Sequence, residues 1–329
     1  MNLEQKYWYL KHSFLSWTGT DNNFASNLSI TLLLMKLGLI ATIIFVVLWW
    51  IFKRQIAASW QKNKPSEKMQ EILIRATGIL LLLGMFLRSL NMGLSHYPRI
   101  WESIPLHFCR LVGLCIGFTL ALNKPKALRY FASPAYLGAF IALAIPDVKI
   151  VFTPSETFTV FGQSFQAGVN TTYYVAWNNV YFYDLMGLHI FMIVSVSVCA
   201  VLYPYKMTKK DVATQCKIFL SFLLTVFTIN AFTDALAPIE WKSNYFYTGM
   251  NQYNGFANLI GPLLHWPTSL VTLSVFGAFY FFASAYLFEI QDKVVFSFSK
   301  GKKFISLAPS SKGFKESFIR NKESKKARC

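Results

Sequence analysis

Seven long apolar runs, at about 32–52, 72–94, 104–122, 127–145, 181–203, 215–236 and 258–288, constrain this chain more than anything else in it. Each approaches the roughly 20 residues a helix needs to cross about 30 Å of hydrocarbon. A backbone in lipid must satisfy its own hydrogen bonds, so runs of this length become helices. The third and fourth are near the minimum length and interrupted by Gly and Pro; the seventh is long enough to tilt or to begin as an interfacial helix. The composition agrees: 54% of the 329 residues are apolar and only 14% charged. The expected fold class is therefore an all-α membrane protein, a bundle of about seven transmembrane helices over 31–290. No cleavable signal peptide is expected, because the first apolar run begins only near Ile30, after a polar and aromatic start.

Orientation follows from the lysines and arginines, which short loops retain on the cytoplasmic side. Lys53, Arg54, Lys62, Lys64 and Lys68 follow the first run; Lys124, Lys126 and Arg129 follow the third; Lys206, Lys209 and Lys210 follow the fifth. The segment 291–329 is a further basic tail, whereas Pro146–Val180 holds Lys149 against Asp147 and Glu156. With seven spans, every basic cluster falls on one side if the N-terminal segment 1–30 is extracytoplasmic and the C-terminus cytoplasmic. The expected location is the cell membrane, multi-pass. The net charge of +17 is then accounted for by topology and by attraction to anionic lipid head groups at the cytoplasmic tail. No nucleic-acid partner is expected, since no aromatic-interleaved basic fold flanks the bundle.

Cysteines at 109, 115, 199, 216 and 329 contain no CxxC and outline no zinc or disulfide framework; no metal or other cofactor is expected. Two outer segments stand out. Pro146–Val180 contains the β-prone pieces FTVFGQSF and TTYYVAW, which predict a short hairpin or a re-entrant cap. Ala237–Ala257 is crowded with aromatics and amides, as at a membrane interface.

Polar side chains within hydrocarbon-length helices are costly and mark function by default. The run Pro105-Leu106-His107-Phe108-Cys109-Arg110 opens the third span, and on this topology it faces outward. Arg88 and Asn91 end the second span on the same side, Asp184 and His189 open the fifth, Asn230 and Asp234 end the sixth, and His265 opens the seventh. One outward-facing site explains this convergence. His107 and Arg110, three apart, share a helix face, while His107 and Cys109 point roughly 200° apart. A nucleophilic Cys109 would therefore take its base from another helix, and His189 is the best placed. An imidazole and cationic neighbours favour the reactive thiolate. Arg88 or Arg110 would pair with Asp184 or Asp234, or hold a lipid phosphate. The plainer alternatives are packing for a membrane cysteine, interhelical hydrogen bonding for Asn230 and Asp234, and interfacial anchoring for His265.

PLHFCR, the Phe-rich FYDLMGLHIF, NYFYT and GPLLHWP together resemble the YwaF group of bacterial integral membrane proteins, itself similar to a eukaryotic transmembrane phospholipid acyltransferase family. The resemblance runs from about residue 30 to 290. It implies acyl transfer to a lysophospholipid, with Cys109 and His189 at the motif's cysteine and membrane histidine; His107 and Asn244 also match patterned positions. Joined to the topology, the expected function is acyl transfer between phospholipid and lysophospholipid through a cysteine thioester at the outer leaflet. The candidate catalytic residues are Cys109, His189 and His107. The candidate substrate contacts are Arg88, Arg110, Asp184, Asn230, Asp234, Asn244 and Tyr245. The other readings of the same residues are a lipid hydrolase with water as acceptor and a lipid or small-molecule transporter or binding protein.

Overall fold

A computed structural model describes residues 13–17, 24–95, 97–154, 157–160, 163–250, 261–298 and 303–307. Eight α-helices dominate it: α1 Phe24–Ile51, α2 Lys53–Asn63, α3 Glu67–Leu94, α4 Phe108–Ala121, α5 Ala132–Ala144, α6 Val180–Leu202, α7 Lys209–Leu236 and α8 Thr268–Lys293. Polar caps set several starts. The Ser66 hydroxyl accepts from Met69 N, the Asn179 side chain from Phe182 N, and Thr208 with Asp211 forms a reciprocal capping box.

Six of these are long and apolar enough to span a membrane: Leu28–Ile51, Glu67–Leu94, Ile100–Ala121 (α4 with the 3-10 turn before it), Val180–Leu202, Lys209–Leu236 and Thr268–Lys293. The fourth expected span, 127–145, is shorter than anticipated. It divides into a 3-10 turn, Pro125–Tyr130, and the 13-residue α5, which rises about 20 Å. α5 packs against α1, α4, α6 and α8 and buries Ala135, Gly138, Ala139 and Leu143, so it meets protein where a spanning helix would meet lipid. The last helix begins at Thr268, ten residues later than the apolar run, after a 3-10 turn at Gly261–Leu264. The basic stretch after the first span forms the polar helix α2, a helix not anticipated there.

Contacts between chain ends establish the direction of the bundle. At one end the Asn91 amide at the close of α3 donates to the Leu15 carbonyl, 3.0 Å, and to the Tyr181 hydroxyl at the start of α6, 2.9 Å. At the other, Lys53 Nζ after α1 reaches the Gln291 carbonyl late in α8, 2.7 Å, and the Tyr203 hydroxyl after α6 reaches Gln70 early in α3, 3.3 Å. Residue 15 and residue 291 thus lie at opposite ends of the bundle, which the six long helices and the shorter α5 traverse in turn. The loops carrying Lys53, Arg129 and Lys209 share the second, basic end.

α3 and α4 make the closest helix contact. A Cβ added to Gly78 would sit 2.3 Å from Ala121 N and 2.6 Å from the Gly117 carbonyl, so the two backbones approach as only small residues permit. The largest core joins Met85, Met92, Val112, Ile116, Leu188, Met192, Ile193 and Val196 from α3, α4 and α6.

Strands cover the non-basic end. β1 Lys149–Phe152 pairs antiparallel with β4 Thr171–Tyr174, and β2 Phe158–Val160 with β3 Gln163–Phe165 between them. Trp17, Phe152, Phe165 and Tyr173 pack beneath as one aromatic cluster. Past α8 the chain forms a small hairpin, β5 Val294–Phe296 with β6 Ile305–Leu307; the remainder of the basic tail lies outside the described residues, as do residues 1–12.

Candidate functional site

Asp184, in the first turns of α6, sits between two guanidinium groups. Arg88 of α3 donates from Nε to Oδ2 at 3.0 Å, and Arg110 of α4 donates from Nη1 to Oδ1 at 2.8 Å and from Nη2 to Oδ2. The three side chains are 10–18% exposed. Two positive charges against one negative leave a net positive charge at the mouth of the bundle. The second arm of Arg88 donates to the Glu102 carbonyl, 2.7 Å. Glu102 in turn accepts from Arg99, which also grips the Val151 carbonyl at 2.6 and 3.0 Å. The ionic cluster is thereby tied to the strand cap.

His189 lies just over one turn deeper on α6 and is 3% exposed. Its Nδ1 is 2.5 Å from the Leu185 carbonyl. A carbonyl only accepts, so Nδ1 carries the proton, and in the neutral ring Nε2 holds the lone pair. That Nε2 is buried and has no hydrogen-bond partner. An unmatched buried polar atom costs about 1–3 kcal/mol, which helix packing alone does not explain. The imidazole is held by a backbone carbonyl, and the nearby Asp184 carboxylate is occupied by the arginines.

Cys109 is half-buried and unpaired in a disulfide. Its sulfur faces α5, where a Cβ on Gly138 would come within 3.0 Å of Sγ. The thiol therefore points into the bundle, though with His189 Nε2 unpartnered no thiol–imidazole hydrogen bond is formed. His107, immediately before α4, presents its ring edge to Tyr247 with centroids 5.0 Å apart. Arg110 and His107 are neighbours of the His189 ring.

The residues expected on α7 and after it do something different. The Asn230 amide donates to the Tyr245 carbonyl and the Thr248 hydroxyl, and its oxygen accepts from Ser243 Oγ and Tyr245 N, all within 2.8–3.0 Å. Asn244 Oδ1 accepts from Gly249 N, Asp234 pairs with Lys242 at 3.7 Å, and the Tyr245 hydroxyl donates to the Trp101 carbonyl at 2.6 Å. These groups organise the 243–249 loop. The loop needs such support: Phe246 and Tyr247 have φ of 55° and 57°, a left-handed conformation costing about 1–3 kcal/mol per non-glycine residue and common at functional sites. The result is Tyr247 held against His107. Burial, with the carboxylates of Asp147 and Glu102 adding to it, pushes the Tyr247 phenol far above its usual range, so it is a neutral hydroxyl at any working pH. His265 is exposed before α8 and its N–H caps back to the Pro262 carbonyl.

The polar residues of five helices thus separate into two groups. Arg88, Arg110, Asp184, His189, His107 and Cys109 gather on α3, α4 and α6; Asn230, Asp234, Asn244 and Tyr245 build the loop that meets them. Tyr247, Arg99 and Glu102 were missed from sequence. Tyr247 stood inside the NYFYT motif, but the two polar residues before α4 lay in a short loop with no periodicity to select them. Among the described residues no group of three or more His, Cys, Asp or Glu is arranged to hold a metal.

No curated protein and no solved structure matches the chain. One family model does, over residues 24–284, which takes in five of the spanning helices, most of α8 and every site residue above. It supports the membrane-family part of the resemblance and does not reach the bacterial YwaF grouping. The chain is a multi-pass membrane protein and belongs to the TMEM164 family.

Proposed function

We propose that this protein is a phospholipid acyltransferase with Cys109 as nucleophile and His189 as general base. The observation that carries the reading is His189: a buried imidazole whose Nδ1 is fixed by the Leu185 carbonyl, leaving an unspent Nε2 lone pair beside the arginine cluster. A base with its acceptor free and its ring immobilised suits proton transfer.

In the proposed cycle Cys109 Sγ attacks the ester carbonyl of a phospholipid while its proton passes to Nε2. The ester C–O bond breaks, the lysophospholipid oxygen takes the proton from Nε2, and a thioester remains on Cys109. A second lysophospholipid hydroxyl then gives its proton to Nε2 and attacks the thioester; the C–S bond breaks and the thiolate recovers the proton. The proposal requires the thiol to leave its rest position on Gly138 and swing to Nε2, a tightening commonly deferred until substrate is bound. The net positive Arg88–Asp184–Arg110 cluster suits a lipid phosphate. The basic loops gathered at the opposite end support, through the positive-inside rule, a site at the non-cytoplasmic leaflet.

Purified protein in nanodiscs, given phospholipid with a labelled acyl chain and unlabelled lysophospholipid, tests the reading. Transfer is expected for the wild type and its loss for Cys109→Ala and His189→Ala. Full transfer by Cys109→Ala would sink the proposal, as would a wild type that only moves lipid between leaflets. Release of free fatty acid without transfer would reassign the same site to hydrolysis.

A further inference from the structure

Below the ionic cluster, α3 and α6 diverge. A cleft of about 390 Å³ opens between them on the outer flank of the bundle, lined by Thr77, Leu80, Gly84, Tyr183, Gly187 and Phe191 among others, with Asp184 at its upper end. Its floor is α4, where Met85 from one wall and Leu188 from the other both come to rest over Gly113. Its roof is the Arg88–Asp184 ion pair and, above that, the Asn91–Tyr181 hydrogen bond. Gly84 and Gly187 face each other's wall with nothing within 4 Å of where a Cβ would stand. Leu80 and Tyr183 at the lips are 67% and 42% exposed. In a membrane this opening meets hydrocarbon, and its size lies within the range of small-ligand sites.

We infer that the cleft seats one acyl chain of a phosphate-bearing membrane lipid, with the phosphate at Arg88. The occupant follows from the two ends of the slot. Its length is apolar and open to the bilayer core, so a hydrocarbon chain enters without leaving the membrane. Its top carries a net positive charge, since two guanidiniums share one carboxylate, which complements a phosphate. The absence of side chains at Gly84 and Gly187 creates the width. This inference rests on the acyl-transfer reading only for what happens to the lipid afterwards; occupancy of the cleft does not require chemistry at Cys109.

The probe is a phosphatidylglycerol bearing a photoreactive diazirine on one acyl chain, incorporated into nanodiscs with the full protein, and compared with diacylglycerol carrying the same chain. Crosslinks are mapped by peptide mass spectrometry. The expected result is labelling concentrated on 77–84 and 183–191, about tenfold stronger for the phosphate-bearing probe, which corresponds to about 1.4 kcal/mol. Gly84→Leu and Gly187→Leu, whose Cβ atoms meet no neighbouring atom and whose branches fill the cleft, reduce that labelling about tenfold, with the unfolding midpoint of each variant as the check that the fold is kept. Arg88→Gln removes the preference for phosphate. Cys109→Ser leaves the pattern unchanged, so failure of the catalytic reading and failure of the cleft are told apart. Labelling spread evenly over lipid-facing positions such as Val271 and Phe279 of α8, or undiminished by the leucine substitutions, overturns the inference.

Discussion

Asp184→Asn removes the charge that two buried guanidiniums share while keeping the side chain's size. The wild-type carboxylate accepts three hydrogen bonds, at 3.0 Å from Arg88 and at 2.8 Å and closer from Arg110. Charge-assisted bonds contribute about 1.5–3 kcal/mol each, but the amide retains one acceptor oxygen, so the sum overstates the loss. Breaking a buried pair by removing one partner costs about 3–5 kcal/mol, because the remaining charge stays desolvated. All three groups are less than a fifth exposed, so solvent screens little of this. The expected destabilisation is therefore about 3–5 kcal/mol, read by equilibrium unfolding in mixed micelles. The exposed Arg75–Glu71 pair, 48% and 44% accessible, is the control, with about 0–1 kcal/mol expected for Glu71→Gln. A second arm adds Arg110→Gln: once Asp184 is gone, removing Arg110 relieves an unpaired charge, so the double variant is more stable than the sum of the singles predicts. The reasoning is refuted if Asp184→Asn costs no more than Glu71→Gln, or if the cycle is additive within about 0.5 kcal/mol.

Two other substitutions test the framework around the site. Gly78→Ala places a methyl against the backbone of Ala121 and Gly117; overpacking there costs about 1–3 kcal/mol or more, whereas Gly84→Ala, facing open space, is neutral or stabilising in the same unfolding assay. Asn230→Ala removes four hydrogen bonds from the 243–249 loop and frees the left-handed backbone at Phe246 and Tyr247, so limited proteolysis is expected to cut this loop faster while the helices of the bundle remain protected.

The long helices were legible because burial of a backbone in lipid demands about 20 apolar residues in a row. α5 departs from that rule for a physical reason: surrounded by four helices, it meets protein where a lone span would meet lipid. α2 was hidden because a polar, lysine-rich stretch reads as a loop unless its faces are weighed. The chemistry of the site was legible in residue types, since Arg88, Arg110, Asp184 and His189 are all expensive inside a membrane. Their pairing was not. Sequence left Arg88 and Arg110 a choice between Asp184 and Asp234, and only the rotation of α7 toward the 243–249 loop, where Asp234 meets Lys242, decides it. The His189 tether is similarly invisible, because its partner is the backbone of Leu185 and carries no residue signature. Tyr247 required a left-handed backbone that no local propensity announces.

The most direct test of the account is capture of the acyl-enzyme. Protein in nanodiscs is exposed to phospholipid with a labelled acyl chain in the absence of lysophospholipid, quenched in acid and examined by peptide mass spectrometry. The account predicts an acyl group on Cys109, released by neutral hydroxylamine as a thioester is, diminished in His189→Gln and discharged when lysophospholipid is added. Label on another residue, or acyl transfer proceeding at the wild-type rate in Cys109→Ala with no thioester formed, would contradict it.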